Sequence, residues 1–516
     1  MAIRTFAAID VGSYELGMKI YELSEKRGMR EITHIRHRIE LGTETYTNGK
    51  ISYERVDELC KALRGFKDIM YSYRVDDYKA YGTSAIRETE NTTIILDQIR
   101  IRAGVSIEVI SNSEQRFLNY KSVASKGVGF NKIIEKGTAI VDIGGGSIQI
   151  SLFDKDSLVT TQNLKLGILR LREKLNKIQP KHSQVDDLVE EMIGNQIYNY
   201  KKMYLKDYDI KNIIIVDDYI SHVLKNTVGE TGEAGYLSVS AYYSFTEELK
   251  KQSADGMAGY FGIAEENVNS FLLAALLIKK LIKIMETEYI WIPGVTLCDG
   301  MAFEYAERNR IIAPAHNFEQ DIIACAQNIS KRYLGSKKRG ETLEKITLTI
   351  FDSMKKIHGL GRRERLLLRI AALLHDCGKY ISLSAVAISS YNILMATEII
   401  GLSHTEREMV ANIVKYNHLE FDYYEELTKT TFLDRCSYLT IAKLTAIIRV
   451  ANALDKSHKQ KFKDIKAMLK EDELLLIVDS NMDITLEKGL FQEKADFFEE
   501  VYSVRPIIRQ KRVNQF

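Results

Sequence analysis

The sequence has few cysteines, few prolines and no long apolar run. Its five cysteines lie far apart without metal-ligand spacing, which argues against a disulfide framework and fits buried thiols in a reducing compartment. The most apolar stretches, 271–278 and 366–374, end at or contain charged residues and are too short to span a bilayer. No signal-peptide pattern precedes the first predicted strand. We therefore expect a cytoplasmic protein without membrane association.

An excess of charge of one sign is also lacking. The 72 basic and 70 acidic residues give a formal net charge of +2, so composition gives no reason to expect nucleic-acid binding, and any polyanion site must be local. At 516 residues the chain is too long for one core, and we expect three or four domains. No Gly/Ser linker separates them, and Pro314 fits a domain boundary.

One stretch organises the rest of the sequence: a predicted buried strand, a glycine turn and a second predicted strand. The first strand ends at Asp142, and the turn consists of Gly144, Gly145, Gly146 and Ser147. Three consecutive glycines let backbone N–H groups turn toward a bound oxyanion without interference from a Cβ atom. The serine adds a hydroxyl group. The pattern is typical of a phosphate-binding turn.

The N-terminus repeats this plan about 130 residues earlier, with Asp10, Gly12 and Ser13 between two predicted strands. Two such units imply two similar half-domains, each offering a phosphate-binding turn to a shared cleft. The alternative is an ordinary tight hairpin, because short glycine-rich matches are weak evidence when they occur alone.

The order of the predicted elements, a three-strand meander followed by alternating helices and strands, indicates an α/β fold. Hydrophobic periodicity predicts the element bounds. In the first half we predict strands at 4–9, 18–23, 31–41, 77–81 and 106–110, and helices at 53–71, 92–103 and 113–124, the last capped by Asn112 or Ser113. In the second half we predict strands at 158–166, 212–216 and 289–297, and helices at 168–177, 184–204, 265–286 and 300–308.

From about residue 313 the predicted strands cease, and residues 316–460 form a run of helices with breaks at 335–340, 358–362 and 417–422. A final α/β stretch has strands at 473–479, 483–487 and 506–509 and a helix at 491–501. The predicted domains are 1–125, 126–310, 311–460 and 461–516.

The motifs resemble, in order and spacing, those of the exopolyphosphatase and guanosine pentaphosphate phosphohydrolase (Ppx/GppA) family. The resemblance rests on residues 10–13, 82–87, 110–115 and 142–147. It implies two actin-like (RNase H-like) lobes, hydrolysis of a terminal phosphoanhydride in inorganic polyphosphate or a guanosine penta- or tetraphosphate, and a homodimer. The helical part resembles the HD-type domain that longer members carry, on residues 374–379, 401–403 and 449–455.

Cleaving a phosphoanhydride requires neutralised oxygens, a water in line with phosphorus and an acceptor for its proton. The turns and an arginine can neutralise the oxygens; the expected phosphate-binding residues are Gly12, Ser13, Arg87, Gly144, Gly145, Gly146 and Ser147. Asp10 and Asp142 are expected to hold Mg²⁺ or its waters, or, alternatively, to cap their turns. Arg87 could instead be a surface residue.

The proton acceptor departs from the family pattern. The family places a glutamate at the start of the helix after the Ile-Ser turn, and this position reads Gln115. Glutamine can orient a water but cannot accept its proton, and losing a general base lowers the rate roughly 10²- to 10⁴-fold. Glu114 is the obvious substitute, although it lies about 100° around the helix and could simply favour the helix N-terminus.

Other departures also remove positive charge. Gly17 and Cys298 stand where the family has arginines, and an expected Gly-Gly-Thr turn reads Asp217-Asp218-Tyr219. These acidic residues lower affinity for a polyanion, unless Asp217 and Asp218 bind a metal that restores the balance.

The helical part also departs from the family pattern, at the positions of its metal ligands. The His375-Asp376 pair of an HD-type metal centre is intact, but the first histidine position aligns with Phe318 and the last aspartate with Asn452. Asp455 is a credible replacement, because it lies three residues away on roughly the same helix face. Two or three ligands make a weak metal site, so we favour a structural role in which His375 and Asp376 make internal hydrogen bonds.

Three functions remain open from the sequence. The first is a Mg²⁺-dependent exopolyphosphatase in which Glu114 or Gln115 handles the water. The second is a weakened family member that senses polyphosphate or guanosine tetraphosphate. The third is an HD-type metal hydrolase acting at His375 and Asp376.

Overall fold

The structure, a computed structural model, describes residues 3–178, 185–217, 220, 223–224, 235–252, 254–261, 265, 268–313, 316–462 and 464–511. The chain divides into two units, 1–318 and 319–516. The first unit contains two sheets, and each sheet with its helices is called a lobe here. The predicted boundary at Pro314 lies outside the described residues.

The first lobe is built on a five-stranded sheet of order β3-β2-β1-β4-β5. Strand β1 pairs antiparallel with β2 and parallel with β4. Alternate residues of β1 enter two different cores, with Ile9 in one and Phe6 and Ala8 in the other. Asp10 has the same parity as Phe6 and Ala8 and therefore lies on their face of the sheet. The strands are β1 (Arg4–Val11), β2 (Glu15–Ser24), β3 (Gly28–Arg38), β4 (Asp77–Gly82) and β5 (Glu108–Val109).

The second lobe repeats this arrangement in a six-stranded sheet of order β10-β11-β9-β6-β7-β8. Its first strand again pairs antiparallel with the next strand and parallel with the strand after the meander. Asp142 therefore occupies the position in β6 that Asp10 occupies in β1, and the predicted internal repeat is present in the fold. The strands are β6 (Thr138–Ile143), β7 (Ile148–Asp154), β8 (Ser157–Leu164), β9 (Asn212–Asp217), β10 (Tyr236–Ser238) and β11 (Tyr289–Trp291).

Helices cover both sheets, and the last helix of the unit, α12, packs against the first sheet. Its Cys298 and Met301 share a core with Phe6 of β1. The helices are α1 (Leu41–Asn48), α2 (Tyr53–Ser72), α3 (Ser84–Glu88), α4 (Thr92–Ala103), α5 (Asn112–Ala124), α6 (Val128–Ile134), α7 (Ile168–Ile178), α8 (Val185–Tyr200) with a π-helical turn (Lys201–Leu205), α9 (Val239–Lys251), α10 (Ala254–Phe261), α11 (Val268–Met285) and α12 (Leu297–Arg308).

Helix α5 crosses α12 at very close range. A Cβ atom at Gly300 would lie 2.0 Å from the carbonyl oxygen of Leu118, so only glycine fits there. The predicted cap of α5 at Asn112 or Ser113 is wrong: Ser111 is the N-cap, and its side chain accepts a hydrogen bond from the Glu114 N–H. The Ser111 cap sets the residue at which α5 begins and therefore which of its side chains face the sheets.

The second unit contains helices and a three-stranded sheet of order β12-β13-β14. The sheet and the helices fall in one compact unit, 319–516. The helices are α13 (Phe318–Arg332), α14 (Lys337–Ser353), α15 (Arg362–Leu374), a 3₁₀ turn (Cys377–Tyr380), α16 (Val386–Ala396), α17 (His404–Tyr416), α18 (Tyr424–Leu427), α19 (Arg435–Leu454) and α20 (Thr485–Tyr502); the strands are β12 (Asp464–Lys470), β13 (Glu473–Asp479) and β14 (Arg505–Gln510).

The predicted strand 483–487 is wrong, because α20 already begins at Thr485. The Asp483 carboxylate accepts hydrogen bonds from the Thr485 N–H at 3.1 Å and its hydroxyl at 2.6 Å, a local arrangement that starts a helix. The predicted strand 289–297 is also too long: β11 ends at Trp291, two residues before Pro293, which has no N–H for the ladder.

All five cysteines are free, and Cys436 alone among them is exposed. Within the described ranges no helix combines the length and the apolar character needed to cross a membrane.

Candidate functional site

The two predicted phosphate-binding turns are built alike. The Gly12 N–H donates to the Glu15 carbonyl at 3.0 Å, and the Gly144 N–H donates to the Ser147 carbonyl at 3.0 Å. A helix then begins at each turn: the Gly42 N–H of α1 donates to Ser13 at 2.8 Å. In the second lobe the Leu169 N–H of α7 donates to Gly145 at 3.0 Å. Each turn is therefore fixed by its own hairpin and by a helix N-terminus.

The tips of the two turns touch each other. A Cβ atom added at Gly145 would lie 3.1 Å from the Ser13 Cβ. At Gly146 it would lie 2.2 Å from the Tyr46 hydroxyl and 2.7 Å from the Ser84 hydroxyl. Glycine is required at Gly146 because side chains of the first lobe already occupy that space.

Three hydroxyl groups of the first lobe form a cluster beside the second turn. Ser13 Oγ lies 2.8 Å from Tyr46 Oη and 2.7 Å from Ser84 Oγ, and Tyr46 Oη lies 3.0 Å from Ser84 Oγ. The Ala85 N–H donates to Ser13 Oγ at 3.1 Å. Sequence reasoning missed Tyr46, which follows no motif, although Ser84 belongs to the 82–87 motif.

The second turn also contains backbone donors. Among the residues that the structure describes, the N–H groups of Gly145 and Gly146 have no backbone acceptor. Ser147 is buried at the end of the same turn. N–H groups of this kind can bind an oxyanion, and phosphate binding at this turn stays a prediction.

The two aspartates lie close enough for their charges to interact. Burial, together with the smaller effects of the charges of Glu15 and Asp142, raises the pKa of Asp10 to about 8. Asp142 Oδ2 accepts a hydrogen bond of 2.6 Å from Asn119 Nδ2 on α5. The carboxylates of the two lobes therefore approach one region beside α5.

This region is rich in oxygen atoms that lack donors. Buried side-chain oxygens of Asp10, Gln115, Asn119 and Gln149 have no partner within the described ranges. Gln115 and Asn119 share one face of α5, being four residues apart, and Gln149 is the cross-strand partner of Asp142. Orphaned acceptors of this kind are destabilising by about 1–3 kcal/mol each. Carboxylate and amide oxygens suit Mg²⁺, so the residues present fit a bound magnesium ion.

The Glu114 carboxylate is held by a hydrogen bond at the start of its own helix. The carboxylate accepts a 2.9 Å hydrogen bond from the Ser111 N–H, which completes a capping box at the start of α5. This contact explains the residue as a helix cap and argues against it as the substitute general base. Gln115, one position on, is the side chain with a buried unpartnered oxygen.

Arg87 is half-buried, and its guanidinium forms hydrogen bonds within the first lobe. Its guanidinium donates to the Ile110 carbonyl at 2.6 Å and to the Asn112 side chain. Arg87 thus orders the loop that leads into α5 and holds it against the 82–87 motif.

Two arginines that the sequence analysis missed lie at the junction of the lobes. Arg170 Nε donates to the Gly146 carbonyl at 2.7 Å, and its guanidinium forms an ion pair with Glu88 of the first lobe. Arg172 pairs with Glu40 at 2.8 Å. Burial raises the pKa of Glu40, but hydrogen bonds from Arg172 and Arg38 outweigh it and lower the pKa to about 2. The Arg-Leu-Arg sequence at the start of a helix after a strand was the available signal.

In the second unit, the Arg339 guanidinium contacts His375 and Asp455, two of the residues predicted to form an HD-type metal centre. Arg339 Nε donates to His375 Nε2 at 3.0 Å, and Nη1 donates to Asp455 Oδ2 at 2.8 Å. Nη2 donates to Asn452 Oδ1 at 2.6 Å. Asp376 pairs with Lys379 at 3.0 Å. One guanidinium thus joins His375, Asp455 and Asn452.

The ionisation of this cluster is consistent with that arrangement. Burial lowers the pKa of His375 to about 4, so the ring stays neutral, and its Nδ1 lies 2.8 Å from the Ala372 carbonyl. In the described part of the chain no group of three or more His, Cys, Asp or Glu side chains could hold a metal. His375, Asp376 and Asp455 therefore do not fit an HD-type metal centre.

Two other positions raised by the sequence are the aligned first-histidine position and the Asp217-Asp218 pair. Phe318, at the first of these, and the nearby His316 each pack edge-to-face against Tyr120. Asp218 lies outside the described residues, and so does the side chain of Asp217.

Comparison with known proteins identifies the chain's relatives. The model of the Ppx/GppA phosphatase family matches residues 20–309, and that of Ppx/GppA phosphatase domain III matches residues 323–495. A guanosine-5'-triphosphate,3'-diphosphate pyrophosphatase of Vibrio atlanticus is 20% identical, with 94% of this chain and 92% of that protein covered.

Two other curated relatives are covered only in part. An exopolyphosphatase 1 of Mycobacterium tuberculosis is 26% identical, over 32% of this chain and 46% of that protein. A bifunctional 3-dehydroquinate synthase/phosphatase of Fusobacterium nucleatum is 22% identical, over 41% of this chain and 31% of that protein. The chain spans less than half the length of these two relatives.

A solved structure shares the fold. The crystal structure of an exopolyphosphatase from Cytophaga hutchinsonii is 18% identical and matches with a TM-score of 0.52, covering 60% of this chain and all of that one. Because the first family model spans more than half of the sequence, the chain belongs to the Ppx/GppA phosphatase family.

Proposed function

We propose that this protein hydrolyses the terminal phosphoanhydride of inorganic polyphosphate or of guanosine pentaphosphate between its two lobes. The observation that carries this proposal is the meeting of the two turns, where Gly145 approaches Ser13, with Asp142 near enough to Asp10 for its charge to raise the pKa of that carboxyl. The names of the pyrophosphatase and exopolyphosphatase relatives agree with it.

In the proposed site, backbone N–H groups bind phosphate, and carboxylate and amide oxygens would hold the metal ion. The N–H groups of Gly145 and Gly146 bind oxygens of the terminal phosphoryl group. Asp10, Asp142 and the amide oxygens of Asn119 and Gln149 would hold Mg²⁺. The ion, when bound, supplies positive charge that neutralises the phosphate oxygens. Asn119 fixes the orientation of the Asp142 carboxylate through its 2.6 Å hydrogen bond.

Gln115 orients the attacking water. Phosphoryl transfer passes through a loose transition state with little bond formation to the nucleophile, so orientation without a strong base is sufficient for turnover. Glutamine cannot accept the proton, which then passes to a phosphate oxygen of the substrate. We therefore expect turnover roughly 10²- to 10⁴-fold below that of an enzyme with a positioned general base.

The second unit is proposed to have a structural role and no hydrolytic one, because Arg339 contacts both His375 and Asp455. An HD-type metal hydrolase is not supported by this arrangement.

The test is phosphate release with Mg²⁺ from long-chain polyphosphate and from guanosine pentaphosphate, measured side by side. The wild type is expected to release phosphate from at least one substrate. Asp142→Asn is expected to lower that rate about 100-fold or more. Asp97→Asn, which alters an exposed ion pair with Arg100, is the matched control and should keep the wild-type rate. No release from either substrate by the wild type would overturn the proposal and leave a binding role.

A further inference from the structure

Arg170 lies where the two lobes meet, and the proposed reaction assigns it no role. We infer that Arg170 is a phosphate-binding residue of the proposed site and that Glu88 competes with the phosphate chain for its guanidinium. The inference rests on the proposed function, because it concerns the same cleft. It assigns a substrate contact to a position outside all the motifs considered above.

The first observation is the place of the guanidinium. Arg170 Nε donates to the Gly146 carbonyl at 2.7 Å, and Cζ lies 4.0 Å above the Tyr46 ring. The carbonyl belongs to the turn whose N–H groups at Gly145 and Gly146 lack backbone acceptors within the described residues. An oxyanion bound by those N–H groups therefore lies next to a permanent, planar positive charge.

The second observation is that the present partner of Arg170 is replaceable. Glu88 ends the short helix α3 in the first lobe, and its side chain is 32% exposed, against 21% for Arg170. Partly exposed ion pairs add little to stability. A phosphate chain offers several negative charges and a geometry that suits a bidentate guanidinium contact, so it can displace one carboxylate.

The neighbouring arginines are held more firmly and are poorer candidates. Arg172 contacts Glu40, Thr43, Glu173 and Ser270, and its side chain is 13% exposed. Arg87 donates to the Ile110 carbonyl and cannot leave without orphaning that acceptor. Among the carboxylates that pair with Arg170 and Arg172, Glu88 is the most exposed, at 32% against 15% for Glu40 and 18% for Glu173.

The chain offers a matched control pair. Arg102 and Asp57 form an ion pair with side-chain exposures of 26% and 28%, and Arg102 lies 5.7 Å from the Tyr53 ring centroid. This pair reproduces the ionic and aromatic contacts of Arg170 within helices α2 and α4, away from the turns. Removing its charges changes net charge in the same way without touching the proposed cleft.

The experiment is isothermal titration calorimetry of the full chain with tripolyphosphate and Mg²⁺ at fixed ionic strength. R170Q is expected to weaken binding about tenfold or more, since charge-assisted hydrogen bonds are lost. E88Q is expected to tighten binding about two- to fivefold, because the competitor is neutralised. R102Q and D57N should bind like the wild type. R170K should fall between the wild type and R170Q.

The outcomes separate this inference from the proposed function. Equal affinity of R170Q and the wild type, or a shift of the same size in R102Q, would overturn the inference while leaving hydrolysis intact. Binding that depends on Arg170 without phosphate release would overturn hydrolysis and keep the inference. A wild type that neither binds nor hydrolyses would remove both. If R170Q does not fold, as judged by its melting curve, the sign of the E88Q effect decides.

Discussion

Asn119 Nδ2 donates a 2.6 Å hydrogen bond to Asp142 Oδ2, joining helix α5 of the first lobe to the strand that leads into the glycine turn of the second. The contact fixes the orientation of the Asp142 carboxylate. It also places the amide face of α5, with Gln115 one helical turn earlier, against the aspartate. The lobes are thus connected at the position where the chemistry is proposed.

Replacing Asn119 with leucine should impair metal use more than folding. The Asp142 carboxylate loses the group that orients it, and removing such outer-shell partners typically reduces metal affinity or activity by roughly 10- to 100-fold. The measurement is the Mg²⁺ concentration that gives half-maximal phosphate release. Asn199→Leu, at an exposed helix position, is the control. An unchanged Mg²⁺ requirement in Asn119→Leu would contradict the role given to the contact.

Replacing Gln115 with glutamate should increase turnover. A positioned carboxylate can accept the proton of the attacking water, and general-base catalysis contributes roughly 10²- to 10⁴-fold, or about 3–5 kcal/mol of barrier. The measurement is kcat for phosphate release. Glu114→Gln should leave kcat nearly unchanged, since Glu114 serves the capping box. A large loss in Glu114→Gln, with no gain in Gln115→Glu, would restore Glu114 as the base.

Gly146→Ala should destabilise the protein by about 1–3 kcal/mol, because the added methyl group would lie 2.2 Å from the Tyr46 hydroxyl. Combining it with Tyr46→Phe, which removes that hydroxyl, should recover part of the loss. Gly65→Ala, in helix α2 with no atom within 4 Å of the new Cβ, should instead stabilise by roughly 0.5–1 kcal/mol. Urea unfolding measures all three; equal losses at both glycines would contradict the packing described.

Arg339→Met should be strongly destabilising. It removes the donor to His375, Asp455 and Asn452, and breaking a buried ion pair by removing one partner typically destabilises by about 3–5 kcal/mol. Lys337→Met, whose side chain is 87% exposed, should have little effect. The free energy of unfolding in urea measures both. A stable Arg339→Met variant would show that the guanidinium is dispensable.

The same cluster predicts a pH dependence of stability. Burial lowers the pKa of His375 to about 4, so the ring stays neutral in the folded chain while it gains a proton in the unfolded chain below its usual pKa of about 6.5. Stability should therefore fall as pH drops from about 6.5 toward 4, by about 3 kcal/mol from this residue. His375→Gln should lose this part of the slope. An identical slope in wild type and variant would contradict a buried neutral ring.

The sequence predicts a strand or helix well where the hydrophobic periodicity within that element defines its bounds. Strand 473–479 and helix 92–103 have the predicted bounds, and the internal repeat was readable from the two Asp-Gly turns. Predictions failed where one hydrogen bond decides. Ser111 caps α5 through a single hydroxyl.

The partners of the site lie too far apart in sequence for a pattern to reveal them. Arg339 is 113 residues from Asn452 and 36 from His375. Arg170 meets Glu88 across 82 residues and two lobes. Such pairs follow from how the elements pack, and no spacing rule within one element predicts them. The sequence shows that Gln115 and Asn452 stand where the family has acidic residues. It does not show which other side chains take over the roles of those acidic residues.

The claim that both turns act on one phosphate chain is tested most directly by a double-mutant cycle on phosphate release from long-chain polyphosphate, using Asp10→Asn, Asp142→Asn and the double variant. Residues that act as a unit give non-additive losses. The account predicts that each single variant loses about 100-fold or more and that the double variant loses little beyond either. Wild-type release by Asp10→Asn, or losses that multiply in the double variant, would contradict it.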